Sequence, residues 1–596
     1  MTRPTDPSTG ISAVLGTTLH RRSLLKGAAG LGAGIAGLQA GSALAAPTGR
    51  GASHLLGHLQ AAEAAAPEKQ IFIVPSDPTL TSVLDFYEAV YKRPSYAADL
   101  WSDPLVRVDK DFNIVPAAAL EWAVGDDGLT WTFKLDSNLV WSDGNPVTAN
   151  DWVQTFRYGA DPGHAWDFTW FFQGVIDGWD AVVAPADGAT PTANESIGVM
   201  QGADANTLII KTQKPAPYLP AMLLYSLPLS AAALASTGPL YNTKPETAVS
   251  SGPFILGEWL PDQQITYVRN ESYKGSLQVG IQKVLVKLAS LDTHFTMYQS
   301  DEIDYMEGLA PAEQQIAKAE FPDDIKSSVG DFRTFYLYFD VTMAPFDDIK
   351  VRQAFSHAID RDLLAQQILG PEGSPAYSWL APGFPASQRE AMSTIQNFDP
   401  AAGQALLAEA GFPGGEGFPK QELWLRAPKP LDKNVAAAMA AMLNEHLGVE
   451  VELLEVDQNS YMAALTAKPT EILFGYVSYG MDFLDPTNML GVWLSGGRHS
   501  WVNEEFDAKV TEGAEFLGAP EERTKLFQDA ERILVEDVPG VFVYHETPLQ
   551  LVKPWVSGAA LEADASGNTS IHWPRYTTMS TVPGELYITT DAPDRG

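Results

Sequence analysis

Cysteine is absent from all 596 residues. That absence excludes disulfides, thiol nucleophiles, thiolate-bound zinc, iron–sulfur clusters and a thioether lipid anchor. Positive charge is scarce as well: 39 Lys and Arg stand against 74 Asp and Glu, a formal net charge of −35. Proteins that neutralise phosphates need a basic face, so nucleic acid is not an expected partner, and broad adhesion to anionic membranes is disfavoured. The 10 His are scattered, without metal-ligand spacing on a helix. No Gly-x-Ser-x-Gly elbow occurs past the N-terminal segment. With 74 acidic residues, carboxylate pairs arise by chance, so they decide nothing about acid/base chemistry. The chain is therefore expected to be no enzyme and to need neither metal nor cofactor.

What is present is an ordinary globular balance, 45% hydrophobic and 19% charged, in a chain too long for one core. Two or three domains are expected. The first stretch reads as an address. His20-Arg-Arg-Ser-Leu-Leu-Lys26 precedes the uncharged run Gly27–Leu38 and the small residues Ala43-Leu44-Ala45. That order is a charged n-region, an apolar h-region and a cleavage site. Arg21 and Arg22 ahead of Leu24-Leu25-Lys26 resemble the twin-arginine export signal. Removing residues 1–45, a net +3, takes −35 to −38. With no cysteine for a lipid, a free periplasmic protein is expected. Residues 46–67 read as a disordered lead-in.

Several stretches imitate functional motifs. Gly32-Ala-Gly34-Ile-Ala-Gly37 matches a dinucleotide fingerprint but lies in the export signal, with no strand before it. Asp109-Lys-Asp111-Phe-Asn113 opens like a calcium loop, yet Ile114 and Leu120 occupy its Gly and Glu positions. A polar turn is expected there. Residues 215–243 carry no charge, but Pro217, Pro220, Pro228 and Pro239 interrupt them, so they read as buried core and not as a membrane span.

Leu105 to Trp141 alternates with period two around Asp126-Asp127-Gly128, which predicts antiparallel hairpins. Thr148 opens a helical stretch. Strands are predicted at 70–74, 281–288, 449–456 and 471–477, and helices at 348–367 and 401–410. Alternating strands and helices from 280 to 545 imply an α/β unit with a mostly parallel sheet.

Blocks in fixed order carry a family resemblance. They are Asn113-Ile-Val-Pro116, Asp126-Asp-Gly-Leu-Thr-Trp-Thr-Phe133, Trp141-Ser-Asp-Gly-Asn-Pro-Val-Thr-Ala-Asn-Asp-Trp152 and Ser251-Gly-Pro-Phe254. Then come Pro345-Phe-Asp-Asp-Ile-Lys-Val-Arg-Gln-Ala-Phe355, Ala358-Ile-Asp-Arg361, Asp482-Phe-Leu-Asp-Pro486 and Leu551-Val-Lys-Pro-Trp-Val556. The set resembles the extracytoplasmic solute-binding proteins of peptide-type ABC importers, family 5, over about residues 68–580.

The resemblance implies an α/β, two-lobed type II periplasmic-binding-protein flytrap with an inserted third domain. Lobe I would comprise 68–90, 215–305 and 546–596, the insert 91–214, and lobe II 306–545. Such a monomer would enclose a peptide or amino-acid-derived solute and report closure to membrane permease subunits. In peptide-binding members an Asp of an Asp-x-x-Asp/Glu-Pro block meets the ligand ammonium group, and Asp482 falls on that pattern. Tyr479 falls where an aromatic lines the cleft. The Arg that often precedes this Asp by six residues is Tyr476 here, with Lys468 as a substitute. An oligosaccharide ligand stacked on some of the 15 Trp is the second reading, and an exported hydrolase with paired carboxylates the third.

Overall fold

The computed structural model describes residues 63–78, 85–88, 100–164, 166–185, 192–327, 329–426, 429–563, 569 and 585–594. The export signal and the lead-in up to residue 62 lie outside these. Where the lead-in ends, the chain differs from the expectation of disorder. Ala64 bridges Thr589, and the Ala65 amide donates to the Ile588 carbonyl at 2.8 Å. Pairing with the distant C-terminal strand is not visible in a composition of Ala, Glu and Pro.

A four-stranded sheet runs in the order Ile71–Ser76, Lys283–Leu288, Gln264–Arg269, Phe254–Leu260. The first two strands pair in parallel and the others antiparallel. Pro75 is tolerated inside Ile71–Ser76 because that strand is the sheet's edge. The predicted hairpins form a second, antiparallel four-stranded sheet: Ala119–Val124, Thr130–Leu135, Thr207–Lys211, Val199–Gln201. Its first turn is tied by Asp127, whose Oδ1 accepts from the amides of Leu129 and Thr130, both at 2.9 Å. The calcium-like stretch is such a turn too, with Asp109 Oδ1 accepting from the amides of Asp111 and Asn113. Thr148 precedes the helix Ala149–Ala160. The Asp151 carboxylate closes that N-terminus by accepting from the Thr148 amide at 2.7 Å.

The largest sheet has six strands, in the order Gly373–Pro375, Gly540–Glu546, Thr334–Phe339, Phe474–Tyr479, Gln421–Arg426, Val451–Val456. The expectation of a mostly parallel sheet is corrected here. Gln421–Arg426 pairs in parallel with both neighbours, whereas Thr334–Phe339 runs antiparallel to Phe474–Tyr479 and to Gly540–Glu546. Strand–helix alternation constrains local crossovers but not the direction in which the first strand enters, so the reversed strand leaves no local signal.

Period-two alternation sends Tyr336 and Tyr338 into the core on one face of this sheet, and Leu337 and Phe339 into that on the other. The helix predicted at 348–367 breaks after Ala358 and resumes at Arg361–Leu364. Arg361 fills the break: its buried guanidinium donates to the carbonyls of Phe542 at 2.5 Å and of Ser356 and Ile359 at 3.2 Å.

A three-stranded sheet joins the regions, with Leu549–Val552 between Tyr305–Glu307 and Ile325–Ser327. The uncharged, proline-rich stretch is buried, from Leu219 to Leu224 in particular. Among the described residues no helix is long and apolar enough to cross a membrane.

Candidate functional site

Strand Phe474–Tyr479 ends in Gly480, Met481 and Asp482 before the short helix Pro486–Gly491. Gly480 is required by close approach: a Cβ there would fall 2.3 Å from the Asp331 carboxyl carbon. Pro486 takes the first helical position, where its missing N–H costs nothing. Asp485 caps the helix, with Oδ1 accepting from the Thr487 amide at 3.0 Å. Its carboxylate also meets Arg523 in a fork, at 2.7 and 2.8 Å. Asp485 therefore takes the structural duties of the block.

Asp482 is left for another task. Its Oδ2 accepts from the Tyr479 hydroxyl at 2.5 Å and from Asn488 Nδ2 at 3.1 Å. Asn488 Oδ1 in turn accepts from the Asp482 amide at 2.8 Å, which fixes the backbone as well. Both of these side-chain bonds fall on Oδ2. Burial pushes the Asp482 carboxyl above the usual carboxylate range, against the bonds from Tyr479 and Asn488 and the charge of Arg498. Tyr479 is held protonated by burial and then by the neighbouring Asp482 charge. Its ring stacks on Trp379 at 6.3 Å and carries the Arg498 guanidinium at 4.8 Å.

Next along the chain, Phe483 leaves this core and enters the other. It stacks on Tyr218 at 5.5 Å and meets Phe171 edge-on at 5.8 Å. Asp482 thus sits where residues from the first half of the chain close against the six-stranded sheet region.

Tyr479 and Asp482 are brought together, as their spacing in the sequence allows. Lys468 is exposed, donates to the Gly497 carbonyl, and makes no hydrogen bond or ion pair to either of them among the described residues. Tyr476 lies buried in the core on the opposite face of the sheet from Val477. Asn488 was missed by the sequence reading, although its place six residues after Asp482, in the first helical turn, was a usable signal. Arg498 offered none, being brought in from a separate loop. Most described tryptophans, including Trp141, Trp152, Trp179, Trp379, Trp493 and Trp501, are buried in the cores, which leaves few free ring faces for sugar stacking. Among the described residues no group of three or more His, Asp or Glu could hold a metal ion.

Residues 113–501 match the family model described as bacterial extracellular solute-binding proteins, family 5 Middle. That span is more than half of the chain. The chain belongs to this family. Among similar family 5 proteins is the periplasmic oligopeptide-binding protein OppA of Escherichia coli K12, 29% identical over 470 residues, covering 77% of this chain and 84% of that protein. The probable deoxycholate-binding periplasmic protein YgiS of the same strain is 29% identical over 473 residues, with the same coverage of 77% and 84%. In fold, the chain matches the unliganded open form of the periplasmic murein tripeptide-binding protein MppA. The TM-score is 0.71 at 23% identity, over 89% of this chain and 99% of that one. The type II periplasmic-binding-protein architecture follows.

Proposed function

We propose that this family 5 protein is the substrate-binding subunit of an ABC importer, capturing a peptide or amino-acid-derived solute with a free ammonium group for delivery to membrane permease subunits. The observation that carries this reading is the Asp482 carboxylate. It is oriented by Tyr479 and Asn488 through Oδ2, relieved of capping by Asp485, and placed where the two halves of the chain meet. A carboxylate removed from water gains most from a cation that replaces its hydration, and a ligand ammonium group supplies one. The lobes would be 68–90, 215–305 and 546–596 on one side and 306–545 on the other, with 91–214 inserted in the first.

Peptides with free amino termini are expected to stabilise the protein without being consumed. At a hundredfold excess over the dissociation constant the gain is about 2.7 kcal/mol. Thermal unfolding against a peptide panel, with chromatography of each peptide afterwards, tests this. Steady hydrolysis, abolished by one carboxylate substitution, would make the protein an enzyme instead.

Export by the twin-arginine route is the companion proposal, resting on Arg21 and Arg22. A precursor carrying Lys at both positions is expected to stay in the cytoplasm. Normal processing of the unaltered precursor in cells lacking that translocase excludes the route.

A further inference from the structure

The chain passes between the three-stranded and the six-stranded sheet at two links. Residues 329–333 lead into Thr334–Phe339 from the side of Ile325–Ser327, and Thr547 and Pro548 lead from Gly540–Glu546 to Leu549–Val552. The links lie side by side. A Cβ on Gly330 would fall 2.9 Å from Pro548 Cγ, and the Glu546 amide donates to the Arg333 carbonyl at 2.9 Å. Rotation of one region against the other is absorbed at a few residues of this kind.

The first link also carries the candidate site. The Asp331 carbonyl accepts from the Met481 amide at 2.8 Å, and the Asp331 carboxylate occupies the space that a Cβ on Gly480 would need. Both contacts fall within two residues of Asp482. One position after Asp331, the buried Phe332 meets Phe384 edge-on at 5.3 Å. On another side it meets Phe112, with ring centroids 4.9 Å apart and planes at 64°.

Phe112 comes from far off in the chain. It stands at the tip of the turn between the paired strands Val106–Val108 and Ile114–Pro116. Among the described hydrophobic residues of 100–214, it alone packs against the core that holds Tyr336, Tyr338 and Trp379.

The backbone shows that this contact is held against local preference. Phe112 has φ 61° and Phe332 has φ 52°, a left-handed conformation that is an outlier for a bulky residue. Glycine or asparagine would adopt it at less cost. The Phe112 turn does not need the ring for its shape. Asp109 Oδ1 accepts from the amides of Asp111 and Asn113 at 2.9 and 2.8 Å, and the Phe112 amide donates to the Asp109 carbonyl at 3.0 Å. A large ring kept on a strained tip is explained by what it touches.

We propose, independently of the solute bound, that Phe112 is a positioning residue. The turn that imitates a calcium loop presses its ring on Phe332, sets the resting angle between the two regions, and through Asp331 seats the segment that carries Asp482.

The absence of cysteine makes the test direct. Ala235→Cys and Ala441→Cys place spin labels at exposed positions on helices Ala231–Thr237 and Pro430–Leu447. Pulsed electron resonance on the exported chain, refolded from denaturant to free it of solute, then gives the distance distribution between them. Phe112→Gly and Phe112→Asn suit a positive φ and should unfold near the parental temperature. They should nevertheless shift or broaden the distribution by on the order of 2 Å or more, the scale of a hinge rearrangement. Phe112→Tyr keeps the ring and should keep the parental distribution.

A parental distribution in both the Gly and the Asn variants overturns the proposal, since the ring then only fills space. So does a Tyr variant that moves as far as the Gly variant. A large fall in unfolding temperature for both Gly and Asn makes the ring a contact that stabilises the fold, and overturns the positioning role as well.

Discussion

Asp482→Asn is expected to lower affinity for an amine-bearing peptide by about 2–5 kcal/mol, the usual consequence of removing one member of an enclosed charge pair. At 1.4 kcal/mol per decade that is roughly 30- to 4,000-fold. Asparagine keeps the shape, and its carbonyl can still accept from Tyr479 and Asn488, so the loss isolates the charge. N-acetylating the peptide should reproduce the effect in the unaltered protein. Because burial raises the carboxyl above its usual range, binding should also weaken on mild acidification, before ordinary surface carboxylates protonate. Asp485→Asn provides the contrast. It disrupts the bidentate pair with Arg523 and alters the cap of Pro486–Gly491, so folding stability should fall more than affinity does. Calorimetric titration and thermal unfolding of both variants separate the roles. Binding by Asp482→Asn within threefold of the parent would remove the amine anchor and favour an uncharged ligand.

Glu531→Gln is expected to stabilise the protein at alkaline pH. Glu531 lies on helix Pro520–Asp537 at 0% exposure, and its Oε1 accepts from the Leu380 amide at 2.7 Å. Burial pushes its carboxyl up to about 8, although backbone hydrogen bonds led by that of Leu380 act the other way. The folded protein then holds this proton more tightly than the unfolded chain, whose glutamates titrate near the ordinary value of 4.5.

The resulting stability is fully present below about pH 4.5 and is lost as pH rises through about 8. At about 1.4 kcal/mol per unit the loss is on the order of 3–5 kcal/mol. Glutamine mimics the protonated form and has nothing to titrate. The two proteins should unfold at similar denaturant concentrations near pH 4.5, and the variant should lead by that margin near pH 8. Glu372, pushed up to about 7 by burial, titrates in the same window but cancels in the difference. A difference that stays flat from pH 4.5 to 8 would mean that Glu531 is ionised in the fold.

The sequence by itself determined what is settled within a few residues. Asp127 ties its hairpin, Asp151 closes the helix that Thr148 precedes, and Asp399 caps Pro400–Glu409, because each signal and its target lie within four positions. It also set Asp482 and Asp485 three residues apart beside Pro486, a spacing whose pattern could be read although the division of labour could not. Tertiary structure alone decided that Asp485 is spent on Arg523, from a helix 38 residues on. It decided too that Thr334–Phe339 enters its sheet reversed, and that Glu531 is buried in a core. Arg498 lies over the Tyr479 ring although it comes from a loop 19 positions further along the chain. Local preferences act through neighbouring dihedrals and short hydrogen bonds, whereas a charge acquires its partner or lacks one only when packing removes water and fixes what stands next to it.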